Sequence, residues 1–438
     1  MRGNWGKVIG IFLVVSGALT ATINSWNAEY FGLQNATVAA LVEKGTFALV
    51  DQVIPGFNLV EGTETFRYGK SVYPMKQPGG TIIGAIVYAP LYKVGFTYAN
   101  HFDYVSHLIT FGTSTMMIAL SAVIIYYLAL SITKKHNVAM ISALLFPLGT
   151  IIWPYAGVSH HDIYGVFWGL LALACYYFAH KFDNQRYLFF AGLFSTLTLF
   201  FTMLPLTLPI VLWGMTIAAK DLKKIVNLTL GMIVGVLPTS IFNGLVFGNP
   251  FLPPNLAGKV SDTMPLISLP NLLSKLWFYL GSPTTSLIVF SPILIFGVIG
   301  IWNLRKNDKL LARLLFLIPA TQLLHISSME TFGGYQYGPR YLLPTFGCLI
   351  LGVSVWLKEK HTKLANYLFI VTAIFSVVIA KLGALQTVMY PVPGPYAPIV
   401  FFNNIIEWKM PIFRMLYLGI MIFGIGLVTL YVNRKDPK

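Results

Sequence analysis

Residues 68–80 read Tyr68-Gly69-Lys70-Ser71-Val72-Tyr73-Pro74-Met75-Lys76-Gln77-Pro78-Gly79-Gly80, and they lie in the only long hydrophilic interval, 24–93, of a chain otherwise built from apolar runs. That interval also holds Glu29, Glu43, Asp51, Glu61 and Glu64, 5 of the chain's 15 acidic residues. Around it, 438 residues are 56% hydrophobic and 10% charged, with a mean hydropathy of +0.70. So little polar surface cannot cover a soluble globule of this size. Repeated apolar stretches have the roughly 20 residues that cross a hydrocarbon core as helix, the form that satisfies its own backbone there. The expected class is an all-α polytopic membrane protein.

The net charge of +15 is set by its distribution. When successive spans alternate sides, 19 of the 30 basic residues but 5 of the 15 acidic ones fall on one face, in clusters such as Lys134-Lys135, Lys220 to Lys224 and Arg434 to Lys438. Basic clusters in short loops mark the cytoplasmic face, so the charge speaks for orientation and against nucleic acid. Cys175 and Cys348 sit inside apolar runs and imply no disulfide framework. Residues 1–7 followed by the apolar 8–22 read as a signal anchor, since no small-residue cleavage site follows.

In chain order, span one covers about 7–23 and delivers a first outer loop, 24–103. Within it, 28–43 has helical spacing, with Gly45 placed to stop it, and reads as a helix lying on the membrane surface. Residues 80–98 form a juxtamembrane helix, and 104–132 the next span. Spans follow at 138–155 and 163–180; the run 187–219, broken by Pro205 and Pro209, makes two short ones. Further spans are expected at 225–247, 286–304, 310–328, 341–357, 364–385 and 412–432, with outer loops at 248–285 and 386–411. The sum is about 12 spans with both termini cytoplasmic, forming one transmembrane domain over 1–438.

The clustered polar residues then share one face. Glu29, just outside span one, is either a partly desolvated carboxylate able to take a proton from an attacking hydroxyl or an interfacial cap. Lys76, ahead of a Pro-Gly-Gly turn into a helix, suits an anion such as phosphate; the bland alternative is a snorkelling lysine. Ser159-His160-His161-Asp162 would hold a metal, shuttle a proton or cap a loop. Arg340 follows Gly333, Gly334 and Gly338 and suits bidentate phosphate contact, or else pairs with Glu330.

Together, the long first loop with Tyr73-Pro74-Met75-Lys76-Gln77-Pro78-Gly79-Gly80 and Ala89-Pro90-Leu91-Tyr92, and the late Gly338-Pro339-Arg340-Tyr341-Leu342, resemble the GT-C glycosyltransferases. Within that group the likeness is to the protein O-mannosyltransferase and aminoarabinose transferase families. Phe146-Pro147-Leu148-Gly149-Thr150, with His161 downstream, is similar to the group's third and fourth spans. The resemblance implies an enzyme of the cell envelope that moves a sugar from a polyprenyl-phosphate donor to a lipid, glycan or protein hydroxyl on the outer face, with inversion. It makes Glu29 the base, with Asp51 or Glu64 as fallback where relatives carry an acidic pair. It assigns Lys76, Arg340, Tyr73, Gly79 and Tyr341 to the donor phosphate, leaves His161 and Glu330 as further candidates, and implies no certain cofactor beyond a possible divalent metal. The rival class is a transporter or lipid-linked-sugar flippase, against which stand the lack of an internal repeat and the scarcity of ionisable residues within spans.

Overall fold

A computed structural model describes residues 5–25, 29–49, 54–58, 64–257, 271–329 and 337–385. The loop 386–411, the span 412–432, Asp51 and Glu330 lie outside the described residues, as does the side chain of Glu29. The chain runs α1 (Trp5–Thr20), α2 (Glu29–Lys44), β1 (Thr65–Tyr68), β2 (Ser71–Pro74), α3 (Pro78–Lys93), α4 (Tyr98–Thr110), α5 (Met116–Thr133), α6 (His136–Leu148) and α7 (Ile152–Ala156). It continues through α8 (His161–Phe182), α9 (Gln185–Leu197), α10 (Thr207–Ala218), α11 (Leu222–Phe247), α12 (Pro254–Ala257), α13 (Leu272–Leu280) and α14 (Leu287–Phe290). The last described helices are α15 (Leu294–Leu304), α16 (Lys309–Ser328), α17 (Phe346–Lys358) and α18 (Lys363–Leu385).

The helical class read from the sequence holds. Six helical stretches among the described residues are long and apolar enough to cross a bilayer, and four shorter apolar helices accompany them; the chain is an integral membrane protein. The run 187–219 divides as expected: α9 ends at Leu197, two 3-10 turns follow, and α10 begins at Thr207, with Pro205 in a non-helical conformation between them. Gly45, at φ +67°, takes the left-handed conformation that ends α2.

Two features depart from the expectation. β1 and β2 form an antiparallel hairpin in the first loop, pairing Thr65 with Pro74 and Tyr68 with Ser71 across Gly69-Lys70. And α2, expected to lie on a surface, is enclosed by protein on every side from Gly32 to Ala40. Its polar residues find partners there: the Gln34 amide donates to Thr81 Oγ1 at 3.0 Å and that of Asn35 to Ser106 Oγ at 3.1 Å.

The described chain forms two compact units. The first gathers residues 1–22, 117–155 and 267–438. Its tightest helix pair is α15 with α17, possible because a Cβ on Gly300 would lie 1.9 Å from the Gly352 carbonyl oxygen. The second gathers residues 23–116 and 156–266. Here α9 and α11 approach to backbone contact through Gly192, Gly231 and Gly235, the small-residue packing that suits helices in lipid. A Cβ on Gly231 would meet the Phe189 carbonyl oxygen at 1.9 Å, whereas none lies within 4 Å of one on Gly214. Gly231→Leu is therefore expected to abolish monodisperse protein in detergent chromatography, and Gly214→Leu to leave the elution profile unchanged.

Candidate active site

The second unit places Lys76 between hairpin and helix. Pro74 ends β2, Met75 N–H donates to the Glu64 carbonyl at 2.7 Å, and this extra rung sets Glu64 opposite Met75, with Lys76 the next residue along. The Lys76 ammonium forms an ion pair with the Glu64 carboxylate. Lys76 is 6% exposed. Glu64 holds the left-handed conformation (φ +52°), which costs a non-glycine residue roughly 1–2 kcal/mol; the hairpin and the ion pair keep it there. A buried ammonium needs such a counter-charge.

Beside Lys76 is a recess with room for about one water-sized group. Its wall is mostly apolar, formed by Phe47, Tyr73, Phe242, Phe247 and Pro254, with Thr37 and Thr81 as hydroxyls. The rings brace one another: Tyr73 and Phe247 stand 5.5 Å apart edge to face, and Tyr68 OH donates to the Phe247 carbonyl at 2.7 Å. Tyr73 thus falls beside Lys76, as the sequence groups it. Gly79 faces protein: a Cβ there would lie 2.6 Å from the Phe200 carbonyl oxygen and 2.7 Å from the Phe201 ring. Its missing side chain admits the turn after α9.

His160, His161 and Asp162 meet at the start of α8. Two adjacent histidines cannot converge from within a helix, but His160 is the N-cap, with extended backbone (φ −127°, ψ 132°), and its Nδ1 accepts from the Asp162 N–H. Its ring therefore lies against that of His161, centroids 4.4 Å apart. The buried Asp162 carboxylate lies 3.2 Å from His161 Nε2 and accepts from the Thr202 hydroxyl at 3.4 Å, and His160 Nδ1, already an acceptor, stands 3.5 Å from it. The three groups offer ligand atoms within 4.8 Å of one another. Two imidazoles and a carboxylate are a donor set that fits a zinc-like ion.

The first unit holds Arg340 and Tyr341. Gly338 turns the chain at φ +72° because a Cβ would press into the Phe290 ring, and Arg340 then opens a 3-10 turn, Arg340–Thr345, with 4% of its surface exposed. Its guanidinium carbon is 5.3 Å from the Tyr341 ring centre. Lys275 and Tyr279, one turn apart on α13, are fully buried in the same unit. Burial pushes the Tyr279 phenol above its ordinary range, the neighbouring Tyr341 adds to this, and Arg340 opposes it. Sequence reading passes over Lys275 and Tyr279 as loop composition; their spacing of four, in an apolar nonapeptide, is the signal it leaves unused. Glu29 opens α2.

No protein-family model matches the sequence, and no curated protein matches it either. Among solved structures, ArnT from Cupriavidus metallidurans bound to undecaprenyl phosphate superposes with a TM-score of 0.55 at 12% identity, over 98% of this chain and 77% of that one. An oligosaccharyltransferase from Archaeoglobus fulgidus, in complex with zinc and sulfate, gives a TM-score of 0.47 at 13% identity, over 93% of this chain and 57% of that one. The likeness to ArnT extends through almost the whole described chain, and the GT-C-like fold expected from the sequence is the fold this protein has.

Proposed function

We infer that the protein is a membrane glycosyltransferase that transfers a sugar from a polyprenyl-phosphate carrier to an acceptor hydroxyl on the extracytoplasmic face, with inversion. The observation that carries this reading is Lys76, a buried ammonium beside a recess, in a chain with the fold of a transferase solved with undecaprenyl phosphate. In the reaction, the acceptor oxygen attacks C1 of the sugar, a carboxylate takes its proton, and the bond from C1 to the phosphate oxygen breaks with its electron pair leaving on the carrier phosphate. Lys76 offsets that developing charge; a fixed cation in a water-poor site supplies about 3–4 kcal/mol to such a step. Glu64 holds Lys76 in place before the phosphate arrives. Glu29 is the base in this scheme.

His160, His161 and Asp162 would hold a divalent metal, which would supply a Lewis acid when bound. Calorimetric titration with Zn2+ is expected to show one site in the intact protein and at least a ~10-fold weaker one in His161→Ala; equal affinity in both would remove these ligands.

The reading is tested in proteoliposomes carrying radiolabelled polyprenyl-phosphate sugars. Label leaving the carrier for an acceptor supports the transferase. Intact labelled carrier reaching the opposite leaflet with no loss of sugar would make the protein a flippase.

A further inference from the structure

Three loops of the first unit meet at one end of its helices. The Lys135 ammonium, between α5 and α6, donates to the Lys358 carbonyl at 2.9 Å, and the Asn303 amide, near the end of α15, donates to the Glu359 carboxylate at 2.8 Å. Both contacts converge on the end of α17. Residues 134–135, 305–313 and 358–363 hold nine Lys and Arg at this end, all exposed, against two acids, Asp308 and Glu359. The acids are engaged by neutral groups: Asp308 caps α16 by accepting from the Leu311 N–H at 2.9 Å, and Glu359 is held by Asn303. Three helices end here and three begin, so their terminal dipoles offset one another and side-chain charge sets the field. Orientation in the bilayer asks for bases at the cytoplasmic ends of both units. The second unit, however, compensates its own: Lys224 lies 3.2 Å from the Asp183 carboxylate and 3.6 Å from that of Asp221.

The bases of the first unit are also held in place. His361 stacks on Trp356 with centroids 3.9 Å apart, and its Nε2 donates to the Trp356 carbonyl at 2.7 Å, which pins the loop between α17 and α18. The Arg305 guanidinium carbon lies 3.4 Å from the centre of the Trp302 ring. Trp302 is itself exposed, as are Leu310 beside Lys309 and Leu364 beside Lys363. Exposed apolar surface therefore starts within a few residues of the charge, and tryptophan marks the depth at which headgroups lie. A soluble anion would use the charge alone, whereas a phospholipid uses both. We propose that this end of the first unit binds the headgroup of an anionic phospholipid with two phosphates, its acyl chains lying along the exposed apolar faces of α15, α16 and α18. Basic sites between spans on the cytoplasmic side suit such headgroups, and two phosphates can engage two of the loops at once.

The test uses the full chain in detergent, titrated with cardiolipin, phosphatidylglycerol and phosphatidylethanolamine and read by native mass spectrometry. Cardiolipin is expected to bind about tenfold tighter than either of the others. Arg305→Gln with Lys306→Gln is expected to erase that preference, and Lys360→Gln with Lys363→Gln, on the neighbouring loop, to do the same. Lys220→Gln with Lys223→Gln removes as much charge from the second unit and should leave the preference intact. All six side chains are exposed, so each double variant should elute and melt like wild type. Equal losses in the three double variants would reduce the patch to general surface charge and overturn the site. Phosphatidylglycerol binding as tightly as cardiolipin would also overturn it. So would displacement of cardiolipin by an equal concentration of inorganic pyrophosphate, the mark of a soluble anion as the occupant.

Discussion

Replacing Lys76 by alanine is expected to lower sugar transfer by roughly 10²–10³-fold, the loss seen when one fixed donor to a developing oxyanion is removed. The loss should fall on turnover, because the charge on the carrier phosphate grows as the glycosidic bond breaks and the ammonium opposes that growth. Lys76→Arg should restore part of the rate, since it keeps the charge and changes its shape. Folding should survive: Glu64, left without its partner, keeps access to water, with 24% of its side chain exposed. A Lys76→Ala protein that elutes and melts like wild type but transfers at full rate would remove Lys76 from the phosphate site.

The second large effect concerns the base. Glu29→Gln is expected to cost roughly 10²–10⁴-fold in transfer, the usual contribution of a positioned proton acceptor. Glu64→Gln separates the two acidic roles. Glu64 competes with the incoming phosphate for one ammonium, so its neutral analogue should tighten binding of the bare carrier while retaining most turnover. Should Glu64→Gln instead abolish transfer with Glu29→Gln active, the base is Glu64 and the Lys76 ion pair is the resting form of the catalytic pair.

Helix positions were legible in the sequence because a bilayer forces them into long apolar runs, and Pro205 announced the break between α9 and α10. The hairpin was not. Its strands are four residues each, and Thr65-Phe66-Arg67-Tyr68 carries too few alternations to stand out in a hydrophilic loop. With the hairpin went the site's main pairing, because Glu64 and Lys76 become neighbours only through its register. The burial of α2 was hidden for a related reason. Gln34 and Asn35 are polar side chains in that helix, and only tertiary partners, Thr81 and Ser106, let them be buried. The packing of Gly79 was not legible either: the space that its missing side chain leaves is taken by Phe200 and Phe201. Lys76, His161 and Arg340 stood out as polar residues in an apolar chain, where ionisable side chains are costly and rarely idle; that Lys76 and Arg340 are buried is visible only in the fold.

The central claim is that Lys76 exchanges its carboxylate partner for a carrier phosphate. An electron cryomicroscopy map of the full protein with undecaprenyl phosphate tests it most directly. The account predicts the phosphate within hydrogen-bond reach of Lys76 Nζ and the Glu64 carboxylate displaced from it. A map with the carrier bound elsewhere and the Lys76–Glu64 ion pair intact would contradict it.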